Sequence, residues 1–399
     1  MKIAIVVQGR FHAFDLVRDL LRRGHDVTIF TNYPKWAVRR FGIVSDRVRS
    51  FWVHGLAART ADRMRRIITG LDSDPILNPL FGRWAADQLK RESWDVIHAW
   101  SGVSEEFLAA PDIKAGLKLI MRGSAHIRTQ SQILGEEESR TGVRIDKPSE
   151  WIVAREEREY KLADRIVVLS TFARDSFLAE GVEPDKIRLV PLGADVQRFR
   201  PQREVIEARC KRIISGEPLR ILYVGALMYR KGLHDISEIV RHTGQKFAFR
   251  FIGPISAEAK GICSQLRSQA EFIAKQPQLE LPKWYAWGDV FLFPTIEDGY
   301  AVVLAQAHAS GLPILTTPNC CGPDLIGASE TGWILPIRSP EAFIDRLLWC
   351  DSHRAELADM VWRTFEGFHQ RDWADVAADF EALCERELKC KAESVTASA

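Results

Sequence analysis

The stretch KIAIVVQGRFHAFDLVRDLLRRGHDVTIFT, residues Lys2–Thr31, decides the fold of this 399-residue chain. Its opening run, Lys2–Val7, is apolar and rich in β-branched side chains, which is typical of a strand buried on both faces. Apolar residues then recur at helical spacing until Gly24, which predicts the end of a helix, and Val27–Thr31 predicts a second strand. Because a helix joins the two strands, they must lie parallel in one sheet.

The same alternation of short strands and helices continues along the chain, which favours an α/β fold with doubly wound parallel sheets. In the first half we predict further strands at Val96–His98, Lys118–Met121, Ile166–Leu169 and Ile187–Pro191. In the second half we predict strands at Arg220–Val224, Phe247–Gly253, Val290–Phe293 and Leu312–Thr316, and helices at Leu233–His242 and Val302–Ser310. The polar segment Pro201–Pro218 between the halves predicts a linker.

Two such sheets predict two α/β domains, at residues 1–200 and 201–370. A helix at 371–390 follows, because Trp373–Cys390 carries apolar residues on one face, which must pack on another element. Residues 391–399 are expected to be a flexible tail. Ligands of open parallel sheets bind at the carboxyl ends of the strands, so the expected site is the cleft between the domains.

The composition excludes several classes of protein. Fifty-five Lys and Arg against 53 Asp and Glu leave a net charge of +2, which is too balanced for a general nucleic-acid binder. No stretch reaches the roughly 18 apolar residues of a membrane-spanning helix, and Ile3–Val7 is too short for a secretory signal. None of the seven cysteines precedes Cys210, and no pair has the spacing of a zinc site. We therefore expect a reduced, cytoplasmic protein without a metal site.

Basic residues follow the first strand of the second half. Gly225 ends that strand, and Arg230-Lys231-Gly232 comes just before the next predicted helix. Positive side chains beside the amides of a helix N-terminus form an anion site. The alternative is that Arg230 and Lys231 are solvated loop residues. The motif is not a Walker loop, since no glycine-rich stretch ends in Gly-Lys-Ser/Thr.

Acidic residues follow a later strand, in Phe293-Pro294-Thr295-Ile296-Glu297-Asp298-Gly299-Tyr300. Asp298 precedes a predicted helix, where an aspartate most often caps free amides. A carboxylate there would also face the cleft, where it could accept hydrogen bonds from sugar hydroxyls. Gln306 follows eight residues later and lies nearly on the same helix face.

In order and spacing these motifs resemble glycosyltransferase family 4. The resemblance is carried by Gly225…Arg230-Lys231-Gly232 and by Pro294-Thr295-Ile296-Glu297-Asp298-Gly299-Tyr300…Leu304-Ala305-Gln306-Ala307…Ser310-Gly311-Leu312-Pro313. Shorter segments at Leu21–Val27, Ala163–Ser170 and Pro191–Asp195 are also similar to the family. Trp373 resembles part of the family's closing helix, which crosses back to the first domain.

The resemblance implies the GT-B architecture, in which two Rossmann-like domains face each other. The first domain would bind the acceptor, and the second would hold a nucleotide-sugar, most simply a UDP- or GDP-sugar. The resemblance also implies transfer with retention of anomeric configuration, with no required metal or other cofactor. Lys231 and Arg230 would meet the charge of the departing diphosphate, assisted by backbone amides of the Gly299–Ala301 turn.

The resemblance also assigns residues to roles. The catalytic set is Arg230, Lys231, Asp298 and His126, and the donor-binding set is Gly9, Gly225, Glu297, Gly299, Tyr300, Ala301 and Gln306. Family 4 has two glutamates separated by seven residues, and here Asp298 and Gln306 take those positions. Glu297 replaces Asp298 in the first role if the alignment shifts by one residue. Gln306 lacks the charge-assisted bonds of a carboxylate, and Ala226 stands where many members have an arginine.

The first domain carries a weaker pattern. Its first turn has Gly9 alone where many relatives have two or more glycines, and Arg10 and His12 in this turn are acceptor-side candidates or else surface or capping residues. Arg122 follows a strand and is a third acceptor-side candidate. His126 lies in the same loop and resembles the family's sugar-contacting histidine, although a lone histidine is more often structural. The run Glu136–Glu138 predicts a solvated acidic face, which would also suit acceptor hydroxyls.

The segment Lys35–Arg66 is strongly basic, with nine Lys or Arg against Asp46 and Asp62. Four aromatic residues are interleaved with these charges: Trp36, Phe41, Phe51 and Trp52. Such a segment can hold a protein on anionic lipid, and the alternative is a solvated basic face. Peripheral contact with the inner face of a membrane would favour a membrane glycolipid or polysaccharide precursor as acceptor.

These features predict a retaining glycosyltransferase that moves a hexose from a nucleotide-diphosphate sugar to a hydroxyl of a glycan, a glycolipid or a small molecule. Two alternatives stay open: a nucleotide-sugar processing enzyme of the same fold, such as a 2-epimerase, and a non-catalytic homologue that binds glycan or nucleotide. A simple NAD dehydrogenase is excluded, because neither domain has Gly-x-Gly-x-x-Gly after a strand.

Overall fold

Two separate parallel sheets form the framework of the computed structural model, which describes residues 1–65, 72–326, 330–369 and 371–397. The strands of the first sheet are β1 (Lys2–Val7), β2 (Asp26–Thr31), β3 (Val48–Ser50), β4 (Trp94–Trp100), β5 (Ala115–Arg122), β6 (Arg165–Val168) and β7 (Ile187–Leu189). They pair in the order β3-β2-β1-β4-β5-β6-β7. The order reverses between β1 and β4, where a doubly wound sheet opens a crevice.

The second sheet repeats this topology. Its strands are β8 (Arg220–Val224), β9 (Ala248–Ile252), β10 (Ala270–Ile273), β11 (Val290–Phe293), β12 (Ile314–Thr316) and β13 (Gly332–Ile334), in the order β10-β9-β8-β11-β12-β13. Every strand pair of both sheets is parallel. The predicted α/β class with two doubly wound parallel sheets is therefore confirmed.

Helices cover the faces of both sheets. Those of the first half are α1 (Ala13–Arg22), α2 (Lys35–Arg39), α3 (Trp52–Arg65), α4 (Asp74–Leu89), α5 (Glu105–Leu108), α6 (Ile127–Thr141), α7 (Glu150–Leu162) and α8 (Thr171–Ala179). Those that follow are α9 (Arg203–Ile214), α10 (Leu233–Thr243), α11 (Lys260–Gln265), α12 (Leu281–Trp287), α13 (Val302–Ala309), α14 (Gly322–Ile326), α15 (Pro340–Ser352), α16 (Arg354–Glu366) and α17 (Trp373–Ala397). Within the described segments, none of these helices is both long enough and apolar enough to cross a bilayer.

The predicted linker at Pro201–Pro218 is wrong, because most of it is helix α9. Ile206, Cys210 and Ile213 are buried on one side of this helix and belong to the core of the second domain. Arg209 is buried as well, where its guanidinium donates to backbone carbonyls, among them that of Ser310 at 2.8 Å. The apolar stripe of α9 has correct helical spacing, but the arginines and glutamates between its members give the segment the composition of a linker.

Helix α17 packs on the first domain although it follows the second domain in sequence. Its buried residues Val376, Phe380 and Leu383 join the core that α1 covers. The helix continues to Ala397, beyond residue 390, where we expected a flexible tail. Lys391 explains the first extra turn, because its Nζ donates to the carbonyl of Gly116 at 3.0 Å. Residues 398–399 of the expected tail lie outside the described residues.

Candidate functional site

The two predicted motifs of the second domain meet at the carboxyl edge of its sheet. A short 3-10 turn, Tyr229–Lys231, follows β8 and lies against the loop after β11. Lys231 Nζ lies 2.6 Å from Oδ2 of Asp298 and donates to the carbonyl of Glu297 at 3.2 Å. The structure thus brings the predicted cations and carboxylates into one cluster.

Gly232 allows this close approach of the two segments. Its φ of +77° lies in the left-handed region, and a Cβ there would overlap the carbonyl oxygen of Pro294. The backbone amide of Ile296 donates to the carbonyl of Arg230 at 3.0 Å, which fixes the same approach. Because only glycine combines this φ with this proximity, the last residue of the basic motif sets the distance between the cations and the acidic loop.

Glu297 is fully buried at the junction of the two domains and binds groups from both. From the second domain, Arg230 Nη2 lies 2.6 Å from Oε2 of Glu297. From the first domain, the Ser124 hydroxyl, the amide of Ala125 at 3.3 Å and Nε2 of Gln130 at 2.9 Å all donate to it. Burial alone would raise the pKa of Glu297, but the two basic side chains of the turn and these donors outweigh it and lower the pKa to about 2.

Arg122 extends this polar cluster into the first domain. Its Nη2 donates to Oε1 of Gln130 at 2.7 Å, and its Nη1 lies 3.2 Å from Oε1 of Glu156. The hydroxyl of Tyr160 then donates to Glu156 at 2.6 Å. A chain of buried polar contacts therefore runs from Arg230 through Glu297 to Tyr160. Arg122, predicted on the acceptor side, is a connecting member of that chain.

The turn after Asp298 presses directly against the first domain. A Cβ at Gly299 would overlap the carbonyl oxygen of Gly123, so glycine is needed for the domains to meet here. Oδ1 of Asp298 accepts from the amide of Tyr300 at 3.2 Å, and Ala301 occupies the N-cap position of α13. Asp298 therefore orders the loop ahead of α13 while it holds Lys231.

Among the described residues, neither His126 nor Gln306 forms a hydrogen bond or an ion pair with the side chains of Arg230, Lys231, Glu297 or Asp298. His126 is the N-cap of α6, where Nδ1 accepts from the amide of Arg128 at 3.3 Å. Its ring packs between Tyr160 and Phe177, and burial lowers its pKa to about 4. Gln306 is buried inside the second domain.

The Oε1 atom of Gln306 accepts from the hydroxyl of Tyr285 at 2.9 Å. Tyr285 lies on α12 and is fully buried in the core of the second domain. The amide group of Gln306 therefore joins α13 to α12 in this structure, and the helical spacing that relates Gln306 to Asp298 does not by itself bring their side chains together.

The predicted residues of the first turn lie at the end of β1. Gly9 has a φ of +112°, and its amide donates to Oδ1 of Asn32 at 2.9 Å. The guanidinium of Arg10 stacks on the ring of Phe41, 4.2 Å from its centroid. His12 is half-buried with its ring 5.0 Å from that of Trp100, and desolvation lowers its pKa to about 4.

Gly225 has a packing role at the end of β8. Its amide donates to the carbonyl of Ile252 at 3.0 Å, and a Cβ at Gly253 would overlap the carbonyl oxygen of Gly225. The loops after β8 and β9 therefore lie close together beside the basic turn. A ligand bound by the basic turn would therefore meet the backbone of Gly225 and Gly253, which have no side chains.

Sequence reasoning missed the two residues of the first domain that complete the cluster, Ser124 and Gln130. Ser124 donates to Glu297 and accepts from Arg230 Nη2 at 3.0 Å, and Gln130 donates to both Ser124 and Glu297. Their position just after a strand that ends at the cleft was a usable signal. Neither has a residue type that indicates chemistry on its own.

Only part of the acidic run Glu136–Glu138 is the solvated face that we predicted, since Glu136 is exposed. Glu137 is fully buried and pairs with Arg140 at 2.7 Å and with Arg338 of the second domain at 3.1 Å. Arg140 also reaches Asp235 of the second domain at 2.7 Å. The run therefore forms a second polar contact between the domains, because arginines of both domains converge on it.

Within the described segments, no group of three or more His, Cys, Asp or Glu side chains has an arrangement that could hold a metal ion. The cluster at the domain junction instead contains two carboxylates, one lysine and one arginine in alternating contact. Such a cluster can exchange a carboxylate for another anion, since both cations sit at the edge of the sheet where ligands of this topology bind.

Comparison with known proteins gives matches over both domains. Residues 10–198 match the family described as Glycosyltransferase Family 4, and residues 218–351 match the family described as Glycosyl transferases group 1. The putative colanic acid biosynthesis glycosyltransferase WcaL of Salmonella typhimurium is 28% identical over 253 residues, which cover 59% of this chain and 59% of the relative. A GDP-mannose-dependent alpha-mannosyltransferase of Mycobacterium tuberculosis is 29% identical over 181 residues, 45% of each chain. The chain thus spans about half the length of the curated relatives it matches.

Solved structures share the fold over the whole chain. HepE of Anabaena, solved in complex with UDP, superposes with a TM-score of 0.69 at 12% identity, over 97% of this chain and 100% of that chain. At this identity the likeness concerns the fold, two Rossmann-like domains that face each other, and it confirms the predicted architecture.

Proposed function

This chain belongs to glycosyltransferase family 4, and we propose that it transfers a hexose from a nucleotide-diphosphate sugar to a hydroxyl of a glycan, a glycolipid or a small molecule. We propose retention at the anomeric carbon and no metal requirement. The observation that carries the proposal is the pair of cations at the domain junction, Arg230 on Glu297 and Lys231 on Asp298. A diphosphate is the ligand whose charge suits two adjacent cations beside loop amides.

The proposed donor is a UDP- or GDP-sugar. Two similarities support this choice: HepE was solved with UDP, and the mycobacterial relative is GDP-mannose-dependent. The relation to a colanic acid biosynthesis enzyme supports a glycan or glycan precursor as the acceptor.

Donor binding would replace one ion pair of the cluster. Lys231 is half-buried with Asp298, so an entering diphosphate competes with that carboxylate for Nζ. Both cations contact a carboxylate and the carbonyl of Glu297. Arg230 has a further partner, because its Nη2 also donates to the hydroxyl of Ser124 in the first domain at 3.0 Å. We therefore propose that Lys231 moves to the diphosphate while Arg230 meets it from a fixed position.

Asp298 rather than Glu297 is the proposed sugar-contacting carboxylate. Glu297 is fully buried, and its oxygens already accept from Ser124, Ala125 and Gln130. Asp298 is half-buried, and the proposed exchange at Lys231 frees one of its oxygens for a sugar hydroxyl.

In the proposed reaction, the bond between the anomeric carbon and the diphosphate oxygen breaks while the acceptor oxygen bonds to the same face. The acceptor's proton passes to the departing phosphate oxygen, so no protein nucleophile is needed. Lys231 and Arg230 would stabilise the charge that develops on the diphosphate. Removing one such preorganised donor costs about 2.7–4 kcal/mol of barrier, or about 10²–10³ in turnover. In this proposal the two cationic side chains would supply the charge that a divalent ion supplies in other sites.

The test is nucleoside-diphosphate release from UDP-, GDP-, ADP- and dTDP-sugars, with and without glycan or lipid acceptors. We expect release from one donor, stimulated by acceptor, and a loss of about 10²–10³ in Lys231→Ala. Lys211→Ala is the matched control, because Lys211 is an exposed lysine on α9. Wild-type turnover in folded Lys231→Ala would exclude the phosphate role. Isomerisation of the donor without acceptor would indicate an epimerase, and donor binding without turnover a non-catalytic homologue.

A further inference from the structure

Exposed apolar side chains concentrate on helices α2 and α3 of the first domain. The exposed fraction is 62% for Trp36, 57% for Trp52, 58% for Leu56 and 54% for Val53. Single exposed apolar residues are ordinary on protein surfaces, but a group of large ones indicates a binding surface. The predicted basic segment extends to Arg66, which lies outside the described residues.

Helix α3 presents these side chains on one side. Trp52, Leu56, Arg59 and Arg63 follow at intervals of four, three and four residues, so they form one stripe, with Val53 beside it. The opposite side anchors the helix, since His54 is buried against the ring of Phe81 at 5.5 Å. The outward stripe is therefore apolar and basic, and the opposite side of the helix is packed on the domain.

Positive charge accompanies the apolar residues at short range. The guanidinium of Arg40 lies 4.9 Å from the ring centroid of Trp36, and that of Arg59 lies 5.1 Å from the ring centroid of Tyr33. Aromatic rings beside arginines suit the headgroup level of a bilayer, where the rings enter the boundary and the guanidinium groups remain with the lipid phosphates.

We propose that this α2–α3 surface, formed by Trp36, Trp52, Val53, Leu56, Arg59 and Arg63, docks the protein on an anionic lipid bilayer. The charge pattern selects this occupant over a second copy of the chain. A two-fold contact would place the arginines of one copy against those of the other. An anionic bilayer instead offers opposite charge to all of them.

The surface lies next to the turn at the end of β1. The side chain of Asn32 accepts from the Gly9 amide at 2.9 Å, and a Cβ at Gly55 of α3 would overlap the carbonyl oxygen of Asn32. Helix α3 is thus packed on the carboxyl edge of the first sheet. A docked bilayer lies beside that edge, which, if the proposed function holds, favours an acceptor carried in the membrane.

The test is co-sedimentation of the full chain with phosphatidylcholine vesicles that contain or lack phosphatidylglycerol, at low and high salt. We expect binding to the anionic vesicles that weakens about tenfold or more without the anionic lipid or at high salt. Trp52→Ser/Leu56→Ser and Arg59→Ser/Arg63→Ser should each weaken it by a similar factor. The control is Ile214→Ser/Leu279→Ser, because these residues of the second domain are 63% and 76% exposed and should leave binding unchanged.

Absence of wild-type binding to anionic vesicles would overturn the proposal, and so would an equal loss in the control. A dimer in sedimentation velocity that Trp52→Ser/Leu56→Ser converts to monomer, without vesicle binding, would assign the surface to a second copy instead. Circular dichroism establishes that each variant is folded. Nucleoside-diphosphate release with a soluble acceptor is measured on the same variants, so failure of docking and failure of the proposed function are separate results.

Discussion

Glu297 combines complete burial with full ionisation. The carboxylate bears its charge because Arg230 lies 2.6 Å away and three donors from the first domain point at it. A buried charge without such partners would cost several kcal/mol. These partners come from both domains, so the buried charge of Glu297 is fully compensated only while the domains are together.

We therefore expect Glu297→Gln to lower the free energy of unfolding by about 1–3 kcal/mol. The amide keeps one acceptor for Ser124 and Ala125, but its NH₂ group meets the donors of Gln130 and Arg230 and leaves them unpaired. Arg230 is partly exposed, so solvent screens part of the lost ion pair. Urea denaturation at pH 7 measures the effect, and Glu217→Gln, at an exposed loop position, is the control.

The pH dependence of the stability of Glu297→Gln tests whether the ionised carboxylate is the cause of the expected loss. The pKa of Glu297 is lowered from 4.5 to about 2 in the folded protein, so its contribution is present above pH 4.5 and is lost as pH falls toward 2. The wild type should lose more stability than Glu297→Gln across that window. Parallel profiles would contradict an ionised Glu297.

At the scale of single residues, the sequence indicated the basic turn and the acidic loop but not their partners. Lys231 and Asp298 carry charge next to glycines, and this pattern is visible without a structure. Ser124 and Gln130 are uncharged, and they matter only because they lie where Glu297 enters the first domain. A contact across more than 160 residues of chain leaves no local pattern.

At the scale of elements, every central strand was predicted, although β4 and β5 extend beyond their predicted bounds. Of the four edge strands, Ile187–Leu189 was predicted and the other three were missed. Arg220–Val224 and Val290–Phe293 are as expected, because a strand buried on both faces is a continuous apolar run. The edge strands Val48–Ser50, Ala270–Ile273 and Gly332–Ile334 are short and only partly apolar. Their pairing depends on neighbours rather than on their own sequence.

Helix α17 covers a buried histidine that should make the protein sensitive to acid. His98 on β4 is fully buried, with its ring 4.8 Å from that of Phe380 and 5.2 Å from that of Trp100. Neither ring nitrogen has a hydrogen-bond partner among the described residues. Burial, and then the neighbouring His12, lower the pKa of His98 from 6.5 to about 3.

Because the folded pKa is lowered, the neutral imidazole is favoured in the native state. The contribution of neutral His98 to the stability of the folded protein is complete above pH 6.5, and it is lost as the pH falls toward the folded pKa. We expect His98→Phe to keep the ring packing and to reduce the loss of stability between pH 6.5 and pH 4 by about 3 kcal/mol. Urea denaturation at several pH values measures this. His242→Phe, at an exposed position on α10, should leave the slope as in the wild type, and an unchanged slope in His98→Phe would exclude His98 as the source.

At the scale of the whole molecule, polar contacts add to an apolar contact between the domains, in which Leu134 and Ile145 of the first domain join the core of the second. Arg338 reaches Glu136 at 2.8 Å, Glu137 at 3.1 Å and the carbonyl of Ile133 at 2.8 Å. Its φ of +58° lies in the left-handed region, a strained conformation for a residue other than glycine. The first-domain partners of this arginine stabilise that backbone only while the domains are closed.

Arg338→Gly separates the contact from the strain, because glycine adopts this φ without cost while it removes the guanidinium. We expect the domains to open, with a larger radius of gyration in small-angle X-ray scattering. Transfer should fall by about tenfold to 100-fold, since the cations of the second domain must meet an acceptor held by the first.

Glu137→Gln, on the other side of the contact, should act in the same direction, whereas Arg241→Ala, which removes an ion pair within α10, should not. Unchanged scattering with lowered transfer would show that Arg338 acts on the reaction without holding the domains together. If neither value changes, the other contacts between the domains, such as that of Glu297 with Ser124, hold them together without Arg338.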